Sequence, residues 1–165
     1  MTQQRIMGLS LGIIQNGKVT VAKGYGIANV ELDAPASEKT VYKIGSISKQ
    51  FIAAAIMKLV QEGKLKLSDP VGKYIKHAPS EWSPMTIRHL LNHTSGVPVE
   101  PPGFDGMKEQ ADSVYIKASF ADSLRFRVGF KFEYSNFGYF ILADTIVVRS
   151  LETSDDYSCS QKWLM

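Results

Sequence analysis

Ser46 and Lys49 stand three residues apart in "YKIGSISKQFIAAAIMKLVQEG", where small polar residues give way to an apolar run. If that run is a helix, one turn brings both side chains to the same face. A serine hydroxyl becomes an effective nucleophile when a neighbouring base takes its proton. A lysine can be that base when burial or nearby positive charge holds it partly neutral. A helix N-terminus adds backbone N–H groups and a positive dipole end, both suited to a developing oxyanion. The same spacing has a plainer reading, with Ser46 as helix cap and Lys49 as a solvated first-turn residue. Spacing alone does not choose between them.

A second candidate group lies in "FEYSNFGY", where Tyr134 and Asn136 sit between a turn and an apolar run. A tyrosine can relay protons to a leaving group, and an asparagine amide can grip a carbonyl. Their plainer reading is a core aromatic and a helix N-cap. His89 and His93 have the i, i+4 spacing of zinc ligands, but the glutamate of H-E-x-x-H is replaced by Leu90 and no third ligand is evident. Two packed histidines are therefore expected, with no metal and no cofactor. No G-x-S-x-G occurs, and "GYGIAN" lacks the third glycine of a dinucleotide loop.

The elements that must position these residues can be read in outline. Residues 8–26 hold two β-rich runs either side of Asn16-Gly17, the pair that supplies both positive-φ positions of a type I′ turn. Gly24 and Gly26 suggest a bulge or a close backbone approach at the end of the second strand. Ser46 to Glu62 reads as a helix buried over most of its circumference and stopped by Gly63. Asp69 and Pro70 read as N-cap and first helical residue of a further turn. "SPMTIRHLLNHTSG" reads as a short helix capped by Thr86 and closed by Gly96. Residues 97–106 are a proline-rich loop, and 107–127 are weakly helical. A turn at Gly129 leads into a buried helix from about Ser135. From Arg149 the chain turns polar and serine-rich.

With 165 residues the chain suits one domain, expected over 1–165, and can bury about two-thirds of its unfolded surface. A net charge of +3 spread over 19 scattered Lys and Arg argues against nucleic acid. Cys159 is the single cysteine, which excludes an internal disulfide and a cysteine-cluster metal site. The first residues form neither a secretory signal nor a membrane span, so a cytoplasmic protein with no membrane partner is expected from the chain as written.

Taken together, "GKVTVAKGYGIANVELDAPASEKTVYKIGSISKQFIAAAIMKLVQEGKLKLSDPVGKYI", "MTIRHLLNHTSGVP" and "GFKFEYSNFGYFIL" resemble the serine β-lactamase and penicillin-binding-protein superfamily. The similar branch holds class C β-lactamases, family VIII esterases and D-amino-acid peptidases, many of them exported. The resemblance covers residues 8–142 and implies an α+β, β-lactamase/transpeptidase-like fold with an antiparallel sheet portion and a helical lobe. It implies that Ser46 attacks a carbonyl to give an acyl-enzyme and that Lys49 and Tyr134 share the acid–base work. Asn136 would bind the substrate, and the Ser46 backbone N–H would form half of the oxyanion hole. The implied substrate is a small molecule: a β-lactam, a small ester or a D-amino-acid peptide. In this branch Gly45 is expected to keep the approach to Ser46 open, with Ser48 facing elsewhere.

The chain departs from the branch in a small respect, with Val128 where a proline is usual before Gly129, and in a larger one. Relatives carry Lys-Thr-Gly or His-x-Gly on a later strand, and neither occurs here. Residues 143–165 match nothing expected, so a truncated relative with an atypical tail is the expectation. Two functions follow: a serine hydrolase impaired by truncation, or a non-catalytic remnant that binds a ligand or partner. An open sheet edge would also favour self-association.

Overall fold

The computed structural model describes residues 6–100, 103, 105 and 112–151. It is a mixed α+β structure with an antiparallel sheet and a set of helices, arranged as two compact units, Met1–Gly45 and Ser46–Met165. Among the described residues, no helix is long and apolar enough to cross a membrane.

The first unit is a three-stranded antiparallel sheet in the order β1 (Gly8–Gln15), β2 (Lys18–Asn29), β3 (Ala34–Pro35). The expected hairpin is present. Asn16 and Gly17 both have positive φ, 52° and 74°, the signature of the tight turn whose twist matches paired strands. The irregularity expected at the end of the second strand is present, since the β2–β3 register shifts between Ile27 and Asn29 just beyond Gly26; a further shift falls between Ile13 and Ile14, and β2 continues to Asn29. Gly24 answers to the other expectation, close approach: a Cβ there would lie 2.1 Å from the Ala36 carbonyl oxygen.

The second unit is helical. A 3₁₀ turn, Gly45–Ile47, precedes α1 (Ser48–Gln61), so Ser46 lies just ahead of the α-helix that the pattern started with it. Gly63, at φ 71°, ends α1: its N–H donates to Val60 O and the Lys64 N–H reaches back to Leu59 O, a Schellman stop. Only Ile56 and Leu59 of α1 are buried; Phe51 is 63% exposed and Met57 48%. The expectation of a helix buried nearly all round is therefore wrong. Its Lys49–Ile52–Ile56 stripe turns inward with α4, while the opposite stripe of Ile47, Phe51, Ala54 and Met57 stays exposed.

Asp69 does not cap a helix. A 3₁₀ turn follows at Val71–Lys73, with Pro70 as its N-cap residue, and the Asp69 carboxylate turns aside to accept from the Lys66 N–H, Lys73 Nζ and the Tyr74 hydroxyl. The short helix α2 (Ile87–Leu91) does begin at Thr86, whose N–H donates to His89 Nδ1. It stops earlier than Gly96. His93 takes the left-handed conformation, φ 56°, and the His93 and Thr94 N–H groups return to Leu90 O and His89 O. This is the same stop as at Gly63, with histidine in place of glycine. Residues 112–127 contain α3 (Asp112–Ala118) and one 3₁₀ turn, less helix than the pattern suggested; residues 106–111 lie outside the described residues. The last helix, α4 (Asn136–Leu151), runs on from the Tyr-x-Asn segment. Cys159 and the polar tail from residue 152 lie outside the described residues. The core of this unit gathers Trp82, Met85, Ile87, Leu90, Phe137 and Ile141, with the Trp82 ring edge-on to Phe120 and Phe137.

Candidate active site

Ser46, Lys49, Tyr134 and Asn136 all belong to the helical unit and meet at one place. The 3₁₀ turn leaves the Ser46 side chain exposed, and it does not cap α1: Ile47 is the N-cap residue and makes no side-chain cap bond. Instead the Ser46 Oγ accepts from Lys49 Nζ at 3.2 Å and from the Tyr134 hydroxyl at 2.8 Å. Gly45 enters this turn at φ 53°, and a Cβ on it would meet no neighbouring atom within 4 Å. The glycine is thus needed for its left-handed backbone, and the space where a Cβ would stand is open. Ser48 opens α1 and lines the hollow beside the site together with Lys49, Ile52, Asn136 and Phe140, so it does not face elsewhere. That hollow has a volume of about 110 Å³.

Tyr134 and Asn136 are delivered by the start of α4. Ser135 caps that helix, since its Oγ accepts the Gly138 N–H at 2.9 Å and donates to Pro98 O at 2.6 Å. The N–H groups of Asn136 and Phe137 donate to Val99 O. With the cap supplied by Ser135, the Asn136 side chain is released for the site. Its Oδ1 accepts from Lys49 Nζ at 2.6 Å, and its Nδ2 donates to Glu100 Oε1 at 2.5 Å. The Lys49 ammonium also lies over the Tyr134 and Tyr139 rings, 5.0 and 5.7 Å from their centroids.

The electrostatics follow from these contacts. The Lys49 side chain first, then the Ser46 hydroxyl, holds the Tyr134 phenol below the ordinary tyrosine range. Burial pushes the Tyr139 phenol up. Burial, then the charge of Lys49, holds His93 below the usual histidine value.

Reasoning from the sequence missed two neighbours. Glu100 lies in the proline-rich loop, where no period marks a residue. His93 stacks on Tyr134, with ring centroids 4.5 Å apart, and was weighed only as a packed residue or a metal ligand. The two histidines serve different neighbours: His89 Nδ1 bonds Thr86, and His93 Nδ1 bonds the Ser135 N–H.

Comparison with known proteins identifies the family. The Beta-lactamase family model matches residues 1–161. "Protein flp" of Staphylococcus aureus (strain COL) is 35% identical over 167 residues, covering 96% of this chain and 33% of its own length. A solved octameric penicillin-binding protein homologue from Pyrococcus abyssi is 38% identical with a TM-score of 0.74, over 91% of this chain and 36% of that one. The D-amino acid amidase from Ochrobactrum anthropi SV3, solved with L-phenylalanine, is 26% identical with a TM-score of 0.79, over 90% of this chain and 42% of its own. The chain therefore spans about a third of the length of the curated relatives it matches. On its sequence and its fold alike, it belongs to the Beta-lactamase family.

Proposed function

We propose that the chain is a serine hydrolase that forms an acyl-enzyme at Ser46 with a small β-lactam, ester or D-amino-acid amide or peptide. One observation supports this above the others: an exposed serine hydroxyl receives hydrogen bonds from both a lysine and a tyrosine of lowered pKa. Tyr134, as phenolate, takes the Ser46 proton while the oxygen attacks the carbonyl carbon. The Lys49 side chain stabilises that phenolate and anchors Asn136. The bond to the leaving nitrogen or oxygen then breaks, and Tyr134 returns the proton to it. Water next cleaves the ester on Ser46 and releases a carboxylic acid. Asn136 Nδ2 holds the substrate carbonyl once Glu100 gives it up. The amide chemistry of the Ochrobactrum relative supports an amino-acid amide among the candidates. Self-association belongs to the same proposal, supported by the octameric relative and by the exposed apolar stripe of α1.

The test is covalent labelling. Incubation with a fluorophosphonate or a fluorescent penicillin should place one label on Ser46, mapped by mass spectrometry. Release should be slow, because the chain carries no Lys-Thr-Gly or His-x-Gly strand motif to complete the pocket. Ser46→Ala should abolish the label and leave stability nearly unchanged, since Ser46 caps nothing. Turnover that survives Ser46→Ala would place the chemistry elsewhere. A folded sample that never labels would favour binding without catalysis.

A further inference from the structure

Resting on that reading, we infer that His93 is a positioning residue for Tyr134, gripping the backbone on both sides of it. The His93 carbonyl accepts the Glu133 N–H at 2.9 Å, and its Nδ1 accepts the Ser135 N–H at 3.1 Å. Tyr134 is the residue between. The imidazole also stacks on the Tyr134 ring at 4.5 Å with 28° between planes, and meets Tyr139 at 5.1 Å on its way into the unit. These contacts leave the phenol little freedom except to point at Ser46.

The grip depends on an unusual local conformation. His93 occupies the left-handed C′ position of the stop that ends α2, a place normally taken by glycine or asparagine. Glycine would close the helix equally well but would offer no acceptor to Ser135 and no ring to Tyr134. The left-handed turn is what brings the His93 side chain and carbonyl to the same neighbouring segment. Because Nδ1 accepts a backbone proton, the imidazole is neutral with its own proton on Nε2. The charged and titratable groups facing it are Lys49 from α1 and the phenols of Tyr134 and Tyr139. The ammonium and the burial both favour that neutral form.

The test compares three variants of the full chain, with near-ultraviolet circular dichroism as the check on fold. His93→Asn keeps an acceptor near the Nδ1 position and tolerates positive φ; it should label Ser46 at close to the parent rate. His93→Phe keeps a ring without an acceptor, and His93→Leu keeps neither. Both should label on the order of a hundredfold more slowly, the size of loss that small misplacements of a reacting group produce. Independently of labelling, ¹³C-tyrosine NMR should show the Tyr134 phenol titrating higher in the Phe and Leu variants than in the parent, with Tyr134→Phe assigning the signal. If those two variants do not fold, the parent protein still decides the matter: protonation of His93, followed by ¹⁵N NMR, must move the Tyr134 ring signals with the same midpoint. A folded Leu variant with unchanged Tyr134 titration would overturn the inference. So would an Asn variant as slow as Leu, or parent Tyr134 signals that ignore His93. If the parent never labels while its Tyr134 titration follows His93, the grip stands and the hydrolase reading falls.

Discussion

At the scale of single residues, the site is built so that one serine oxygen receives two donors, and the two differ in what they can give up. Lys49 is tied to the Asn136 amide oxygen, while the Tyr134 hydroxyl donates to Ser46 and is held below the ordinary tyrosine range by Lys49 and Ser46. Tyr134→Phe should therefore slow Ser46 labelling by about 10²- to 10⁴-fold, the usual worth of a positioned acid–base group, and stopped-flow fluorescence would measure it. Loss of only a few-fold would move the base role to Lys49. The histidines make a prediction about stability. Burial lowers the proton affinity of His89 and His93 in the folded chain, with Arg88 and Lys49 adding to it. The unfolded chain thus binds protons first as pH falls below about 6.5. Stability should be complete above that value and decline toward pH 5, read as a lower urea midpoint, and His93→Asn should flatten the decline. The four residues that meet at the candidate site were legible because Ser46–Lys49 and Tyr134–Asn136 are close in sequence. Glu100 was not, because its place beside Asn136 depends on a loop path. His93 was legible as a residue but not as a conformation, since nothing local announces a left-handed histidine.

Among the elements, ends were harder to read than middles. The hairpin was plain because Asn16-Gly17 dictates its own backbone, and the cores of α1 and α4 were plain from their apolar runs. Some misplacements come from a side chain that looked like a cap and bonds elsewhere; the early stop of α2 comes from the left-handed His93. Asp69 is the clearest. It turns from the adjacent 3₁₀ segment toward the Tyr74 hydroxyl, the Lys66 N–H and Lys73, and its carboxyl is lowered to about 2, chiefly by Tyr74. A group with a depressed folded value stabilises the fold above its unfolded value, here 3.8, and loses that contribution as pH falls toward about 2. Asp69→Asn should cost about 2 kcal/mol at neutral pH, from the conversion of pKa differences to free energy. Urea denaturation would show the difference shrinking below about pH 4. An equal cost at pH 7 and pH 2.5 would mean that packing, not charge, is what Asp69 provides.

Considered as a whole molecule, the chain displays a good deal of apolar surface on both of its units. Ile14 is 72% exposed and Val19 66% in the hairpin, and Phe51 is 63% exposed on α1. A net charge of +3 opposes association only weakly. Sedimentation velocity should therefore show mass rising with concentration, and Phe51→Glu should lower the extent of it; a monomer at all concentrations would count against self-association. The arrangement of α1 adds something of its own. The turn that opens α1 presents Ser46, and the exposed stripe begins one residue later at Ile47. Any surface that covers that stripe sits beside Ser46, so association and ligand binding at the candidate site would be linked equilibria, each altering the other's affinity by the same factor. The observed rate constant for labelling, per chain, should then drift with protein concentration. In the Phe51→Glu variant the reaction should return to simple first order in protein.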